Sequence, residues 1–276
     1  MGPWRATAAA ISGEASHRGR VFPSGRQALT QALRSLGLGR GDRVAVPEWS
    51  SHCVLSAVGA VATPVPMREA RDPAAVLVYD QWGWPCSYAG IRAKWPAARI
   101  VHDCVDTASL DFSDADAQVW SLSKVLGLKG GGLARVGEAL LEFEPAEADQ
   151  ELCSQLERLG QHDLAKTHAR WLLDEVQHAA GADLERAYAE ERRRRVANLQ
   201  AKGGDLPGWM DGSSGPGLYP LRTDKLDETR AILLRHGIDA PIYNFDFVGD
   251  AVSPRYERCV ALPLHGEVSV EILATL

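Results

Sequence analysis

Three things are scarce in this sequence: paired cysteines, an excess of positive charge and long apolar runs. The cysteines are five, an odd number, and stand far apart without any C-x-x-C pair, at Cys53, Cys86, Cys104, Cys153 and Cys259. This spacing argues against a disulfide framework and is typical of a reduced, cytoplasmic protein.

The formal net charge of −6 argues against a nucleic-acid-binding surface. One basic cluster, residues 192–195, follows Glu190 and Glu191, and we interpret it as a solvated helix face rather than a phosphate-binding patch. No apolar stretch approaches the roughly 20 residues that span a bilayer. Residues 1–19 lack the basic region and apolar core of a signal peptide, so we expect a cytoplasmic location and no membrane partner.

The first half of the chain alternates short β-branched runs with amphipathic stretches. Strands are predicted at 44–46, 61–65, 75–79, 98–102, 118–122 and 133–136, with helices at 27–36 and 52–61 between the first of them. Strands that alternate with helices predict an α/β fold with a mostly parallel sheet covered on both faces.

The second half has a different composition. Residues 151–200 are charged, favour helix and contain no proline, whereas residues 203–217 are rich in Gly, Pro and Ser and read as a linker. A strand at 218–222 and a helix at 226–236 follow. We therefore predict a large domain at 1–200, which includes the long helical stretch, and a small C-terminal α+β domain at 201–276.

Ligands of open α/β sheets bind at the carboxyl ends of the strands, and the first candidate there is the segment Ser24, Gly25, Arg26 and Gln27. It opens the first helix, where free backbone N–H groups attract an anion and Gly25 allows close approach. Arg26 adds a charged fork suited to phosphate. Taken alone, the segment is better explained as a plain Ser N-cap.

The second candidate is the pair Asp103 and Asp106, which directly follows a buried-looking strand. Ionised carboxylates are costly there without a partner, and a protonated ring nitrogen would be such a partner for Asp103. An ordinary loop or cap aspartate is the alternative. A metal site formed with His102 is disfavoured because no complementary ligand cluster appears elsewhere in the sequence.

The third candidate is Lys124, which follows the apolar run that ends at Ser121. A partly desolvated lysine has a lowered pKa and a free amine that can attack a carbonyl, although a surface lysine is the simpler reading of this residue alone. The nearby glycines 127 and 130–132 match no nucleotide-binding pattern.

Together, the three candidates supply the three anchors that pyridoxal 5'-phosphate (PLP) requires. An anion cradle holds the phosphate, and a carboxylate keeps the pyridine nitrogen protonated. A lysine carries the aldehyde as a Schiff base and then shuttles the proton.

Several stretches, in order, resemble the PLP-dependent sugar aminotransferase family of the DegT/StrS type. S-G-R-Q-A-L at 24–29 is similar to its S-G-T-x-A-L, and G-R-G-D-R-V-A-V-P at 39–47 to its G-x-G-D-E-V-I-V-P. A-T-P-V at 62–65, Q-W-G-W-P at 81–85, H-D-C-V-D at 102–106 and the segment 121–132 also follow the family pattern, as does A-L-P-L-H at 261–265.

The resemblance implies a three-layer PLP-dependent transferase of fold type I and a homodimer. It further implies transfer of an amino group from an amino acid such as glutamate to a keto sugar, with a nucleotide-linked sugar as the expected acceptor. It implies Lys124 for the Schiff base and Asp103 for the ring nitrogen. Gly25, Arg26 and Ser121 would then hold the phosphate.

The sequence departs from the family at three places. Asp106 replaces a neutral Gln or His beside the ring, and Ser51 stands where an aromatic residue stacks on the ring, which leaves Trp49 or His52 to move in. The family's N-Y-R-x segment has no match at 167–173, and the chain is short for the family.

Three other functions are compatible with parts of the sequence. Residues 121–124 read S-x-x-K, the serine-nucleophile motif of β-lactamases, but its S-D-N and K-T-G partners are absent from the sequence. A PLP-dependent dehydratase remains open, although the dehydratases of this kind carry histidine in place of the lysine. A catalytically decayed binding or dimerisation protein is the third alternative; the pairing of Lys124 with Asp103 speaks against it.

Overall fold

The computed structural model describes residues 21–128, 130–142, 160, 184–204, 206–265 and 268. Its larger sheet has seven strands: β1 (Arg43–Val46), β2 (Thr63–Pro66), β3 (Ala75–Tyr79), β4 (Arg99–Asp103), β5 (Ala117–Ser121), β6 (Gly132–Val136) and β7 (Ala139–Leu140). They lie in the order β2-β1-β3-β4-β5-β6-β7. All pairs from β2 to β5 are parallel, and β6 and β7 add antiparallel pairs at one edge.

The predicted mostly parallel sheet is confirmed, and both of its faces are covered. Helices α1 (Gly25–Ser35) and α2 (His52–Gly59) bury their apolar residues on one face, where Leu29 and Leu33 join a core with Leu77. Helix α3 (Ala89–Lys94) covers the other, where Ile91 packs in a core with Val78. Strands buried on both faces read as largely apolar runs, which is why β3 was recognisable in the sequence.

The C-terminal half contains helix α5 (Leu184–Lys202) and a three-stranded antiparallel sheet, in the order β8-β10-β9, with helix α6 (Leu226–Arg235) beside it. Its strands are β8 (Leu218–Leu221), β9 (Ile242–Asp246) and β10 (Tyr256–Pro263). Trp84, from the first half, packs in the same core as Phe245 and Val260. These elements form a small α+β unit, while the domain boundary at residue 200 stays a prediction.

Two sequence predictions need correction. Leu122 does not end a strand; it begins helix α4 (Leu122–Leu126), because β5 stops at Ser121. Residues 192–195 are not a solvated face throughout, because Arg195 is 2% exposed. The predicted helical stretch between 151 and 183 lies outside the described residues, apart from Gly160. In the part of the chain that is described, no helix is long and apolar enough to cross a membrane.

Candidate cofactor site

Asp103, Ser121 and Lys124 lie at the same edge of the sheet. Asp103 is the last residue of β4 and Ser121 the last of its parallel neighbour β5. Helix α4 starts directly after Ser121, so Lys124 stands one turn beyond the strand end, and Gly127 ends the helix in the left-handed conformation with φ 68°. The carboxyl ends of parallel strands are where α/β proteins bind ligands.

The start of α1 reaches the same edge. Ser24 Oγ accepts a hydrogen bond of 3.2 Å from the Gln27 N–H, so its side chain is an N-cap. A Cβ on Gly25 would stand 3.3 Å from Ser121 Cβ and 3.4 Å from Val105 Cγ1, which shows how closely the helix start approaches β5 and the loop after β4. The positive end of the α1 dipole therefore lies beside Ser121, in a position suited to a phosphate.

Lys124 is paired with Asp106. Its Nζ lies 3.2 Å from Asp106 Oδ1 and 3.3 Å from Oδ2, and its side chain is 48% exposed. Burial lowers the pKa of Lys124, but the carboxylates of Asp106 and Asp103 outweigh that effect and raise the pKa above its usual value. The expectation from the sequence that the pKa of Lys124 is lowered is therefore wrong. It considered desolvation alone, whereas two neighbouring carboxylates stabilise the charged amine.

Asp103 is a buried carboxylate with little hydrogen bonding. It is 3% exposed, and the Val105 N–H donates to its Oδ1 at 3.1 Å. Burial raises its pKa to about 6 although the Lys124 charge lowers it, and Asp106 adds a smaller rise. A buried carboxyl in this state gains most from a cationic N–H partner. The residues present thus fit PLP: Asp103 toward a protonated ring nitrogen, Lys124 toward an aldehyde and the α1 start toward a phosphate.

Trp49 and His52 lie on the segment that leads from β1 into α2. The Trp49 side chain is exposed, and its ring meets Tyr256 of β10 edge-on with 6.4 Å between centroids. His52 is the first residue of α2 and is also exposed. Trp49 is thus held toward the C-terminal unit, and stacking of either residue on the cofactor ring stays a prediction.

Arg195 is the residue that sequence reasoning missed. From α5, its guanidinium donates to the Asp106 carbonyl at 3.0 Å and to the Lys124 and Val125 carbonyls at 3.3 Å each. It also forms an ion pair of 2.8 Å with Glu191, one turn earlier. A buried, hydrogen-bonded arginine therefore ties together the two segments that carry Asp106 and Lys124. The only sequence signal was the i,i+4 spacing from Glu191.

The turn after β3 supports Asp106 from the other side. Gly83 ends a 3-10 turn (Gln81–Gly83) with φ 88°, and a Cβ there would stand 2.8 Å from the Asp106 carbonyl oxygen. Only glycine adopts this conformation readily and leaves room for the contact. The contact with Asp106 therefore requires glycine at this position of the segment 81–85.

A second buried network lies behind the site. His102 Nε2 is 2.9 Å from Asp80 Oδ1, and Thr107 Oγ1 donates to Asp80 Oδ2 at 3.1 Å. Burial lowers the pKa of His102, but Asp80 raises it well above its usual value. Side chains alternate along a strand, so His102 points away from the face that carries Asp103. The His102, Asp103 and Asp106 trio is therefore not a shared site; His102 instead groups with Asp80 and Cys104, within 4.8 Å of one another.

The fold and the strand-end groups define a PLP-dependent transferase of fold type I. A family model described as "Putative PLP-dependent aminotransferase" matches residues 8–141. No curated protein matches the chain.

Solved structures, among them the sugar aminotransferase CalS13, share the fold. CalS13 from Micromonospora echinospora has a TM-score of 0.59 at 15% identity, with 97% of this chain and 90% of that chain covered. A DegT/DnrJ/EryC1/StrS aminotransferase from Brucella abortus has a TM-score of 0.57 at 19% identity, with 93% and 84% covered. NtdA from Bacillus subtilis, solved with bound cofactor PMP, has a TM-score of 0.58 at 17% identity, with 93% and 73% covered.

The family model and these neighbours confirm the resemblance stated from the motifs. They indicate the fold of the DegT/DnrJ/EryC1/StrS aminotransferases, and similarity to a PLP-dependent aminotransferase model over residues 8–141.

Proposed function

We propose that the chain moves an amino group from an amino acid, such as glutamate, to a keto sugar, with a nucleotide-linked sugar as the expected acceptor and Lys124 as the residue that attaches PLP as a Schiff base. In the first half-reaction the donor leaves as its 2-oxo acid. In the second, the keto carbon of the acceptor receives the nitrogen and its oxygen leaves as water. PLP supplies the electron sink for both halves.

The observation that carries this proposal is the placement of Lys124 beside two carboxylates of different kinds. Asp106 contacts the amine directly, at 3.2 Å, whereas Asp103 is buried one strand away with a pKa of about 6. The Lys124 amine is placed to react with the PLP aldehyde. The buried Asp103 carboxylate, at the same edge of the sheet, is suited to the protonated ring nitrogen. This arrangement favours amino transfer over the serine-nucleophile reading of residues 121–124, because the Ser121 hydroxyl lies 3.0 Å from Ser123 Oγ rather than against a base.

The other site residues have roles in binding. Ser24, Gly25, Arg26 and Gln27, with Ser121, would hold the phosphate at the start of α1, and their proximity supports this assignment. Asp106 would stand beside the ring. We further propose a homodimer and a cytoplasmic location.

Reduction with borohydride tests the proposal directly. The purified protein with PLP should be yellow, and borohydride should fix the cofactor to Lys124, which peptide mass mapping would locate. Lys124→Arg should abolish the labelling, whereas Lys94→Arg, on α3, should leave it intact. If neither the wild type nor Lys124→Arg gained absorbance on addition of PLP, the proposal would be contradicted.

The two remaining alternatives predict different products. A dehydratase would release water from the sugar without transferring nitrogen from the donor. A decayed binding protein would be labelled at Lys124 but convert neither donor nor acceptor. Measuring both the 2-oxoglutarate formed from glutamate and the loss of water from the keto sugar, by mass spectrometry, separates all three.

A further inference from the structure

Asp106, the carboxylate that contacts the Lys124 amine, lies in a tight turn. The Thr107 N–H donates to the Cys104 carbonyl at 3.1 Å, so Val105 and Asp106 are the two central residues of a four-residue turn directly after β4. A turn of this kind sets the backbone dihedral angles of its central residues. The contact of 3.2 Å between Asp106 Oδ1 and Lys124 Nζ therefore depends on how the turn is held against the rest of the protein.

Asp80, the residue after β3, is bonded to both sides of this turn. Its Oδ2 accepts from the Thr107 hydroxyl at 3.1 Å, and its backbone N–H donates to the Asp103 carbonyl, also at 3.1 Å. Its Oδ1 lies 2.9 Å from Nε2 of His102, the residue before Asp103. Asp80 is thus joined to the two residues that precede the turn and to the residue that ends it.

Asp80 is itself fixed by the chain that follows it. The Cys86 N–H donates to its Oδ1 at 3.1 Å, and the Gly83 N–H donates to its carbonyl at 2.9 Å. Asp80 is 6% exposed and Thr107 is 7% exposed. Because so little water reaches the pair, a lost donor would leave the carboxylate oxygen unsatisfied, which is costly. The bond from Thr107 therefore holds the turn more firmly than an exposed bond of the same length would.

The side chains of this network lie on the far side of β4 from the cofactor site. Successive residues of a strand point to opposite faces, so His102 and its partner Asp80 lie on the face away from the Asp103 side chain. Asp80 reaches the site through the Asp103 backbone and through the turn that carries Asp106. An influence of Asp80 on Lys124 therefore passes through the position of Asp106.

We propose that Asp80 is a positioning residue for the Lys124–Asp106 pair: through the Thr107 hydroxyl it holds the turn 104–107 so that the Asp106 carboxylate stays on the Lys124 amine. The inference deepens the proposed function, and its meaning for amino transfer rests on that function. A lysine must lose its proton before it can attack the PLP aldehyde. The position of the neighbouring carboxylate then sets how readily the amine loses that proton.

Trace labelling of the cofactor-free protein with acetic anhydride, located by peptide mass mapping, measures the reactivity of Lys124, whose side chain is 48% exposed. Only the neutral amine reacts, so the rate follows its pKa. Replacing Asp80 itself would remove three hydrogen bonds from a buried network at once. Thr107→Val removes one of them and keeps a branched side chain.

Thr107→Val should make Lys124 react faster, because the turn loosens and the Asp106 carboxylate moves away from the amine. The expected increase is about 2- to 5-fold at about pH 9, with the midpoint of the pH profile lowered by about 0.3–0.7 unit. Asp103 and Cys53, which also raise the pKa of the amine, are unchanged in this variant. A wild-type rate and midpoint in Thr107→Val would overturn the inference.

Two single variants give the controls. Thr107→Ser keeps the hydroxyl and should restore the labelling rate to that of the wild type. Thr63→Val makes the same chemical change at an exposed position of β2 and should leave the rate unchanged. Failure of Thr107→Ser to restore the rate would show that the hydroxyl is not what holds the turn, and would contradict the inference.

A double variant separates positioning from a general loosening of the fold. In Asp106→Asn the charge beside Lys124 is already gone, so adding Thr107→Val should change the labelling of Lys124 by less than about 1.5-fold. The same increase in both backgrounds would mean that Thr107→Val merely loosens the structure, and would refute the positioning role.

The labelling requires no cofactor, so this inference and the proposed function can fail separately. If borohydride does not fix PLP to Lys124 but Thr107→Val acts only when Asp106 is present, the proposed function alone is refuted. If PLP is fixed to Lys124 but Thr107→Val has no effect on the amine, or acts equally without Asp106, the positioning role alone is refuted.

Discussion

Replacing Asp103 by asparagine should stabilise the cofactor-free protein and impair its chemistry. The carboxyl is 3% exposed, and its pKa is raised from 3.8 to about 6 in the folded chain. The folded state therefore binds this proton more tightly than the unfolded state. Its stability falls as pH rises between those two values and is then constant, since the ionised group is the one disfavoured by burial.

The size of the effect follows from that difference in pKa. A difference of about two pH units corresponds to about 3 kcal/mol of unfolding free energy, fully lost above about pH 7 and about half lost near pH 5. Asparagine removes the titration and keeps an acceptor for the Val105 N–H, which donates at 3.1 Å. Asp103→Asn should thus be more stable than wild type by up to about 3 kcal/mol at about pH 8, and the gain should disappear near pH 4.

Urea unfolding of the cofactor-free protein at several pH values measures this gain. Asp239→Asn, whose side chain is 78% exposed, is the matched control and should show no such pH dependence. In the PLP-loaded enzyme, Asp103→Asn should slow amino transfer by about 100-fold or more, because an amide cannot hold the ring nitrogen protonated. A variant that is no more stable at high pH, or that keeps full activity, would refute the reasoning.

Three further perturbations test the surroundings of Lys124. Asp106→Asn removes the charge that raises the pKa of Lys124, so PLP attachment near pH 7 should be about 3- to 10-fold faster by stopped-flow absorbance; a slower rate would contradict this. Arg195→Met should cost about 3–5 kcal/mol in urea unfolding and lower the yield of borohydride labelling, because it leaves the buried Glu191 carboxylate with only the exposed Arg194, at 3.9 Å, and removes the donor of the Asp106 and Lys124 carbonyls. The exposed Arg193→Met should stay within about 0.5 kcal/mol of wild type, and equal effects of the two would refute the role of the buried arginine. Gly83→Ala, at φ 88° and with its Cβ 2.8 Å from the Asp106 carbonyl oxygen, should lower stability by about 1–3 kcal/mol in thermal unfolding; an unchanged melting temperature would show that the turn relaxes freely.

Much of the large sheet could be predicted because its signals are local. β3 matched its predicted bounds, and β1 and β6 each begin one residue earlier than predicted. A strand buried on both faces is apolar at most positions, and that pattern is visible in a few consecutive residues. β2 was harder: it starts two residues later than expected, and its residues are only partly buried, as suits an edge strand. The charged residues at strand ends were visible for the same local reason.

The sequence by itself determined the α/β class, the order of the strands along the chain, and the candidates Lys124 and Asp103, because each follows from neighbouring residues. Only the tertiary structure decided the electrostatic state of Lys124, whose pKa depends on carboxylates 18 and 21 positions away in the chain. It also turned Arg195 inward, from α5, to the Asp106 and Lys124 carbonyls. It likewise brought Tyr256 of β10 against Trp49, which follows β1. Contacts between residues distant in sequence leave no periodic signal, so packing alone created these features.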